Sequence, residues 1–265
     1  MPEGGKDMFE FCYGDLDLAH RYEEVPVTKP DFAKHYHDFY ELLYFASGEC
    51  DFVMEDVRCR LGAGDVVFIL PGEHHYLDYG TSPDRPPCES WSLKFGDAAV
   101  PAFLVSRLSE KDKFYTVSHG MTRMLEDLDV IAGCDDEDER GTLAGCKLVE
   151  LLVLLSHTPC SGKPLKKNKT IARVVEYVDA HLRTPLSLTD ISSALGLSQS
   201  YLSNRFSEYM KVSVIQYVRI KKIVAAHRCI VFGERPTVVA KDFGFSDYST
   251  FYRAYVKIIG HAPGG

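Results

Sequence analysis

Two ten-residue stretches in the last third of the chain repeat one another 48 positions apart, and this repeat limits the fold more than any other feature. Thr189-Asp-Ile-Ser-Ser-Ala-Leu-Gly196-Leu-Ser198 aligns with Thr237-Val-Val-Ala-Lys-Asp-Phe-Gly244-Phe-Ser246. In each copy a short helix closes on a glycine, the residue that takes the left-handed conformation without a Cβ clash. A hydrophobic residue follows (Leu197, Phe245), then a serine placed to cap the next helix. The unit is a helix-turn-helix, written twice.

The helix after each turn has an inner and an outer face. Leu202, Phe206 and Met210 fall at i, i+4 and i+8, leaving Gln199, Ser200, Ser203 and Asn204 outside. In the second copy Phe251, Tyr255 and Ile258/Ile259 form the inner stripe, leaving Tyr248, Ser249, Tyr252 and Arg253 outside. Amides, hydroxyls and a guanidinium are groups that pair with base edges in the DNA major groove. Ser213 to Phe232 reads as one helix between the units. Twenty residues at about 1.5 Å each reach roughly 30 Å, close to the ~34 Å between successive major grooves on one side of B-DNA.

Charge divides the chain in the same place. The formal net charge is −8, but residues 1–163 carry 15 Lys+Arg against 31 Asp+Glu, whereas residues 164–265 carry 15 against 7. The C-terminal part, at +8, supplies cations for a phosphate backbone, and the N-terminal part would repel one. Ser161-Gly162-Lys163-Pro164-Leu165-Lys166-Lys167-Asn168 is the best linker. The expected domains are residues 1–160, a link at 161–169, and residues 170–265.

The N-terminal part alternates in the manner of short strands. Leu42–Ala46, Asp51–Met54, Val66–Leu70 and Trp91–Phe95 are rich in β-branched and aromatic residues and are punctuated by Gly, Pro and Asp. Thr81–Pro87 reads as a loop, and helices follow Gly96. The fold class expected is therefore α+β with two domains: a β-barrel with flanking helices, then an all-α domain of two helix-turn-helix units joined by a linker helix.

From about residue 171 to 264 the chain resembles the DNA-binding domain of AraC/XylS-type regulators. The matching stretches are Leu197-Ser-Gln-Ser-Tyr-Leu-Ser-Asn-Arg-Phe206, Gly244-Phe-Ser-Asp-Tyr-Ser-Thr-Phe-Tyr-Arg253 and Gly260-His-Ala-Pro263. The resemblance implies base-facing roles for Ser200, Ser203, Asn204, Tyr248, Ser249, Tyr252 and Arg253, and a second turn one residue longer than the first. Ser192 departs from the usual Ala, and Tyr255-Val256 from the usual Phe-Lys. It also implies a cupin-like sensor barrel and control by a small-molecule effector, such as a sugar or related metabolite.

His35, His37, Glu41 and His75 form the one chemically distinctive set in the barrel half. In a strand the first three would share one face. Three imidazoles and a carboxylate suit a divalent transition metal, and their spacing resembles the cupin metal motifs. In the second motif Pro71 sits one place later and no Asn follows. Two readings stay open: a pocket for an organic effector, which is favoured, and a metal site. His74 is expected to point away from the set by parity.

Three functions compete: an effector-controlled transcription regulator, a metal-dependent cupin enzyme, and a scaffold that never contacts DNA. The first accounts for both halves and is adopted, with no catalytic residues assigned. Eight cysteines without a CxxC pair, an N-terminus without an apolar segment and no stretch long enough to span a bilayer point to a cytoplasmic protein. A homodimer is expected through the helix from about Thr142 to His157, where Leu143, Leu148, Leu151, Val153, Leu154 and Leu155 cover more than one face.

Overall fold

The computed structural model describes residues 5–24, 37–80, 84–110, 113–117, 119–163 and 165–264. Its N-terminal half is built on two antiparallel sheets. The larger contains β1 (Gly5–Tyr13), β2 (Leu16–Glu23), β8 (Cys88–Phe95), β3 (Tyr40–Ser47), β6 (Asp65–Ile69) and β9 (Phe114–Thr116), in that spatial order. The smaller runs β10 (Lys166–Lys167), β5 (Val57–Gly62), β4 (Glu49–Met54) and β7 (His75–Asp78).

Both faces of the larger sheet are covered at its centre, so β3 and β6 are buried almost continuously, whereas the edge strand β1 alternates exposed and half-buried residues. In β3, Leu42 and Tyr44 face helices α1 (Ala102–Ser109), α2 (His119–Ala132) and α3 (Glu137–His157). Leu43 and Phe45 face the inter-sheet core with Cys50, Phe52, Cys59, Ile69, Tyr79 and Cys88. All eight cysteines are free thiols. The same parity turns Glu41 inward, between the sheets.

The C-terminal half is helical: α4 (Lys169–Ala180), α5 (Leu188–Leu195), α6 (Gln199–Met210), α7 (Val214–Val231), α8 (Pro236–Asp242) and α9 (Tyr248–Ile259). Each unit has its own core. Phe206 and Met210 pack with Val174, Val178 and Tyr217, while Phe251 and Tyr255 pack with Ile223, Ala226 and Val239. Helix α7 contributes to both and so sets their spacing. Between them Lys222, nearly buried, donates to the Thr184 carbonyl at 2.5 Å and to the Phe243 carbonyl at 2.9 Å.

The structure revises several expectations. The linker is not free chain, because Lys166 and Lys167 pair with Arg58 and Val57 as an edge strand, and the Asn168 N–H donates to the Asp56 carbonyl. Strand β9 returns to the larger sheet within the stretch expected to be helical. Helix α3 buries Leu148, Leu151 and Leu155 in its own domain, because α1, α2 and the sheet all pack on it. Only Leu143, Val153 and Leu154 of the expected interface set are exposed.

Candidate functional site

Strands β3, β7 and β8 and the turn before β3 bring three of the four predicted pocket residues together. His37, Glu41 and His75 place one ligand atom each within 4.8 Å of one another; His35 lies outside the described residues. The parity argument does not hold for His37, which precedes β3 across a bend at Asp38 and Phe39. Its ring reaches Glu41 because the bend folds it back, stacked 4.0 Å from the ring of Phe39.

Glu41 is the hub. Its Oε2 lies 3.0 Å from His37 Nε2 and 3.4 Å from His75 Nε2, and its Oε1 accepts the Ser92 hydroxyl at 2.6 Å. Burial pushes the carboxyl up, but the hydrogen bonds and charge of His37 and His75 outweigh it and hold Glu41 well below the usual carboxylate range. Ser92 was not anticipated. Its signal was the alternation of Ser90 and Ser92 with Trp91 and Leu93 in β8, which turns both hydroxyls inward.

The second ring nitrogens decide what the cluster can hold. His37 Nδ1 lies 2.7 Å from the Phe39 carbonyl and His75 Nδ1 3.0 Å from the Glu73 carbonyl. A carbonyl only accepts, so both Nδ1 atoms carry the proton. In the neutral rings, both Nε2 lone pairs then converge on an anionic oxygen, an arrangement that requires positive charge. Protons on the rings or a metal cation would supply it, and Nδ1–H donation to a carbonyl is the usual backing of a metal-bound histidine. Atoms bound at ~2.1 Å to one ion lie about 3.0–3.4 Å apart in octahedral or tetrahedral geometry. The two Glu41–imidazole distances fit that range and the three ligand atoms lie within 4.8 Å of one another, so this donor set is of the kind that a divalent metal takes.

Beside the cluster lies a cavity of about 80 Å³ lined by Arg21, Glu23, Glu41, His75, Tyr79 and Ser92 among others. It has room for a few waters or a very small polar molecule. His74 does point away from the pocket, but it is buried rather than solvent-facing. Helix α6 covers it, and burial pulls its imidazole down to about 4.

The two recognition helices carry the eight predicted DNA-facing residues. Gly196 (φ +66°) closes α5, and Ser198 caps α6 by accepting the Tyr201 N–H. In the second unit Asp247, not Ser246, is the cap, accepting the Thr250 N–H, while Ser246 donates to the Asp247 carboxylate. The longer turn moves the cap by one residue. Gln199, Ser200, Asn204, Tyr248, Ser249, Tyr252 and Arg253 are exposed and Ser203 is half-buried. Gln199 Nε2 donates to Thr189 Oγ1, which fixes its amide beside α5.

Known families cover both halves. The AraC-like ligand binding domain matches residues 18–131 and a helix-turn-helix domain matches residues 191–265. The chain belongs to the AraC family of transcription regulators. It is similar to the uncharacterized HTH-type transcriptional regulator YbfI of Bacillus subtilis, at 23% identity over 82% of this chain and 80% of the relative. It is also similar to the XylDLEGF operon transcriptional activator 1 of Pseudomonas putida, at 21% identity over 99% of this chain and 85% of the relative. Among solved structures, ToxT from Vibrio cholerae O395 aligns with a TM-score of 0.41 and 12% identity over 94% of this chain and 96% of that one. This AraC-type regulator therefore binds DNA through a C-terminal helix-turn-helix domain and carries an N-terminal ligand-binding domain. Among the described residues no helix is long and apolar enough to cross a membrane.

Proposed function

We propose that residues 1–160 sense a small effector through His37, Glu41 and His75, with residues 161–169 as the link. In this reading, residues 170–265 read DNA through Gln199, Ser200, Ser203, Asn204, Tyr248, Ser249, Tyr252 and Arg253. The regulator is not an enzyme, acts in the cytoplasm and works as a homodimer through the exposed side of α3. The observation that carries the sensing role is the convergence of two imidazole nitrogens on the buried Glu41 carboxylate. Such a cluster is costly to bury and changes state when a cation or hydrogen-bonding ligand enters.

The backed Nε2 lone pairs and the small adjoining cavity favour a second, narrower reading. The occupant is a divalent transition metal, alone or with a very small polar ligand beside it. Elemental analysis of full-length protein purified without chelator tests it. About one metal per chain, lost in His75→Ala, is expected; metal-free protein whose melting temperature ignores Zn²⁺, Ni²⁺ and Fe²⁺ returns the pocket to an organic effector. The DNA role is tested by anisotropy titrations at several salt concentrations. Affinity should fall steeply with salt, and Arg253→Ala should relax base preference rather than weaken all sequences equally.

A further inference from the structure

The strand that delivers His75 to the pocket also holds the first recognition helix, and the two contacts alternate along it. His75 and Leu77 line the pocket cavity. Their neighbours face the opposite way: His74 Nε2 lies 2.6 Å from the Met210 carbonyl, and the Tyr76 hydroxyl donates to the Tyr209 carbonyl at 2.7 Å. Tyr209 and Met210 are the last two residues of α6. An α-helix leaves its final four carbonyls without an internal donor, and here the sensor domain closes two of them.

The segment before β7 is tied to the other pocket histidine and to α7. The Gly72 N–H donates to the His37 carbonyl at 2.8 Å, and a Cβ on Gly72 would lie 3.2 Å from Val224 Cγ1. Glu55, in the turn between β4 and β5, accepts the His74 N–H at 3.1 Å. It also accepts the Tyr217 hydroxyl at 2.7 Å, and Lys221 Nζ lies 3.4 Å away. Residues 72–76 are thus held by pocket residues on one side and by α6 and α7 on the other.

We propose that β7 and its preceding turn are the element that carries the state of the pocket to the first recognition helix. The proposal rests on reading the pocket as the sensing site. Adjacent strand residues share one stiff backbone and point to opposite faces. An occupant that draws His75 toward Glu41 therefore shifts His74 and Tyr76 against carbonyls already in short contact. Hydrogen bonds prefer near-linear geometry and weaken as they are bent or stretched away from it, so the hold on α6 changes without any occupant touching the DNA-binding domain.

A double-mutant cycle in the full-length chain tests this, read as affinity for a mixed-sequence duplex at one salt concentration. Glu41→Gln alters the pocket, and His74→Ala with Tyr76→Phe removes the hold on α6. The pocket change alone should move DNA affinity about fivefold or more, the range of ordinary allosteric coupling. In the released background it should move affinity by less than about twofold. Equal effects in both backgrounds, or no effect of Glu41→Gln in the parent, overturn the proposal. Melting curves check folding; Ser92→Ala and Tyr76→Phe alone form a milder cycle, with hydrogen exchange at the Tyr209–Val212 amides expected to rise on the pocket change. Zn²⁺ titration separates the two failures. Additive cycles with Zn²⁺ bound by His37, Glu41 and His75 leave the pocket and remove the relay, whereas non-additive cycles without any pocket ligand do the reverse.

Discussion

Replacing Gly196 and Gly244 by alanine, one at a time, should produce unequal losses although the repeat makes the two glycines equivalent. Both are left-handed, at φ +66° and +71°. A Cβ in that region costs about 1–2 kcal/mol. At Gly196 nothing lies within 4 Å of the added carbon, so the conformational cost is the whole cost. At Gly244 the carbon would sit 2.7 Å from the Pro185 nitrogen and 2.8 Å from the Thr184 carbonyl carbon, both backbone atoms. Forcing them apart adds overpacking strain of about 1–3 kcal/mol. It also pushes on the Thr184 carbonyl that Lys222 holds. Gly244→Ala should therefore cost roughly 2–5 kcal/mol, at least about 1 kcal/mol beyond Gly196→Ala. Urea unfolding followed by helical circular dichroism measures both. Because the strain falls on the junction of the two units, Gly244→Ala should also lower DNA affinity below its melting range, where Gly196→Ala leaves it nearly unchanged. Equal losses of stability in the two variants would refute the steric argument.

Helix α3 offers a second contrast. Gly145→Ala, with nothing within 4 Å, should gain about 0.5–1 kcal/mol from helix propensity, whereas Gly141→Ala drives its Cβ into the Tyr13 ring and should destabilise the sensor domain in thermal melts. For assembly, Leu154→Glu should dissociate the proposed dimer in sedimentation while the barrel stays folded, because Leu154 is 42% exposed; Leu151→Glu, at a fully buried position, should unfold it. A monomeric parent at micromolar concentration removes the dimer.

The legible parts of the sequence were those in which one local pattern had one structural solution. The glycine turn, the i, i+4, i+8 stripe of Leu202, Phe206 and Met210, and the inward Glu41 all follow from periodicity. The missing parts depended on the partner surface. Strands β1, β2, β5 and β7 carry charged or polar residues at many positions, so they lack the apolar runs that revealed β3, β4, β6 and β8. The encircling leucines of α3 did not reveal which of them its own domain buries, because a sequence does not show how many neighbours a helix has. Three of its faces are taken by α1, α2 and the sheet. His37 reached the pocket through a bend rather than strand parity, and the side-chain period of two carries no information about bends.

The basic residues of α7 show why charge alone misplaces function. In the sequence, Arg219, Lys221 and Lys222 invite assignment to DNA phosphates. Lys222 instead lies in the junction between the two units, donating to two backbone carbonyls, and burial lowers its ammonium below the ordinary lysine value. Lys221 is tied to Asp179 at 3.0 Å and faces Glu55 at 3.4 Å, and these carboxylates raise it despite burial. Neither lysine can release a DNA counterion without first leaving these partners. Of these contacts, Lys221–Glu55 crosses to the barrel and the others stay within the C-terminal half, so part of the +8 charge is committed inside the molecule. A salt dependence of DNA binding shallower than the full cation count would suggest is the consequence, since only cations that reach phosphates contribute to the slope. Of the three, Arg219 is the one whose side chain is exposed, so it is the one not already committed to burial inside the molecule.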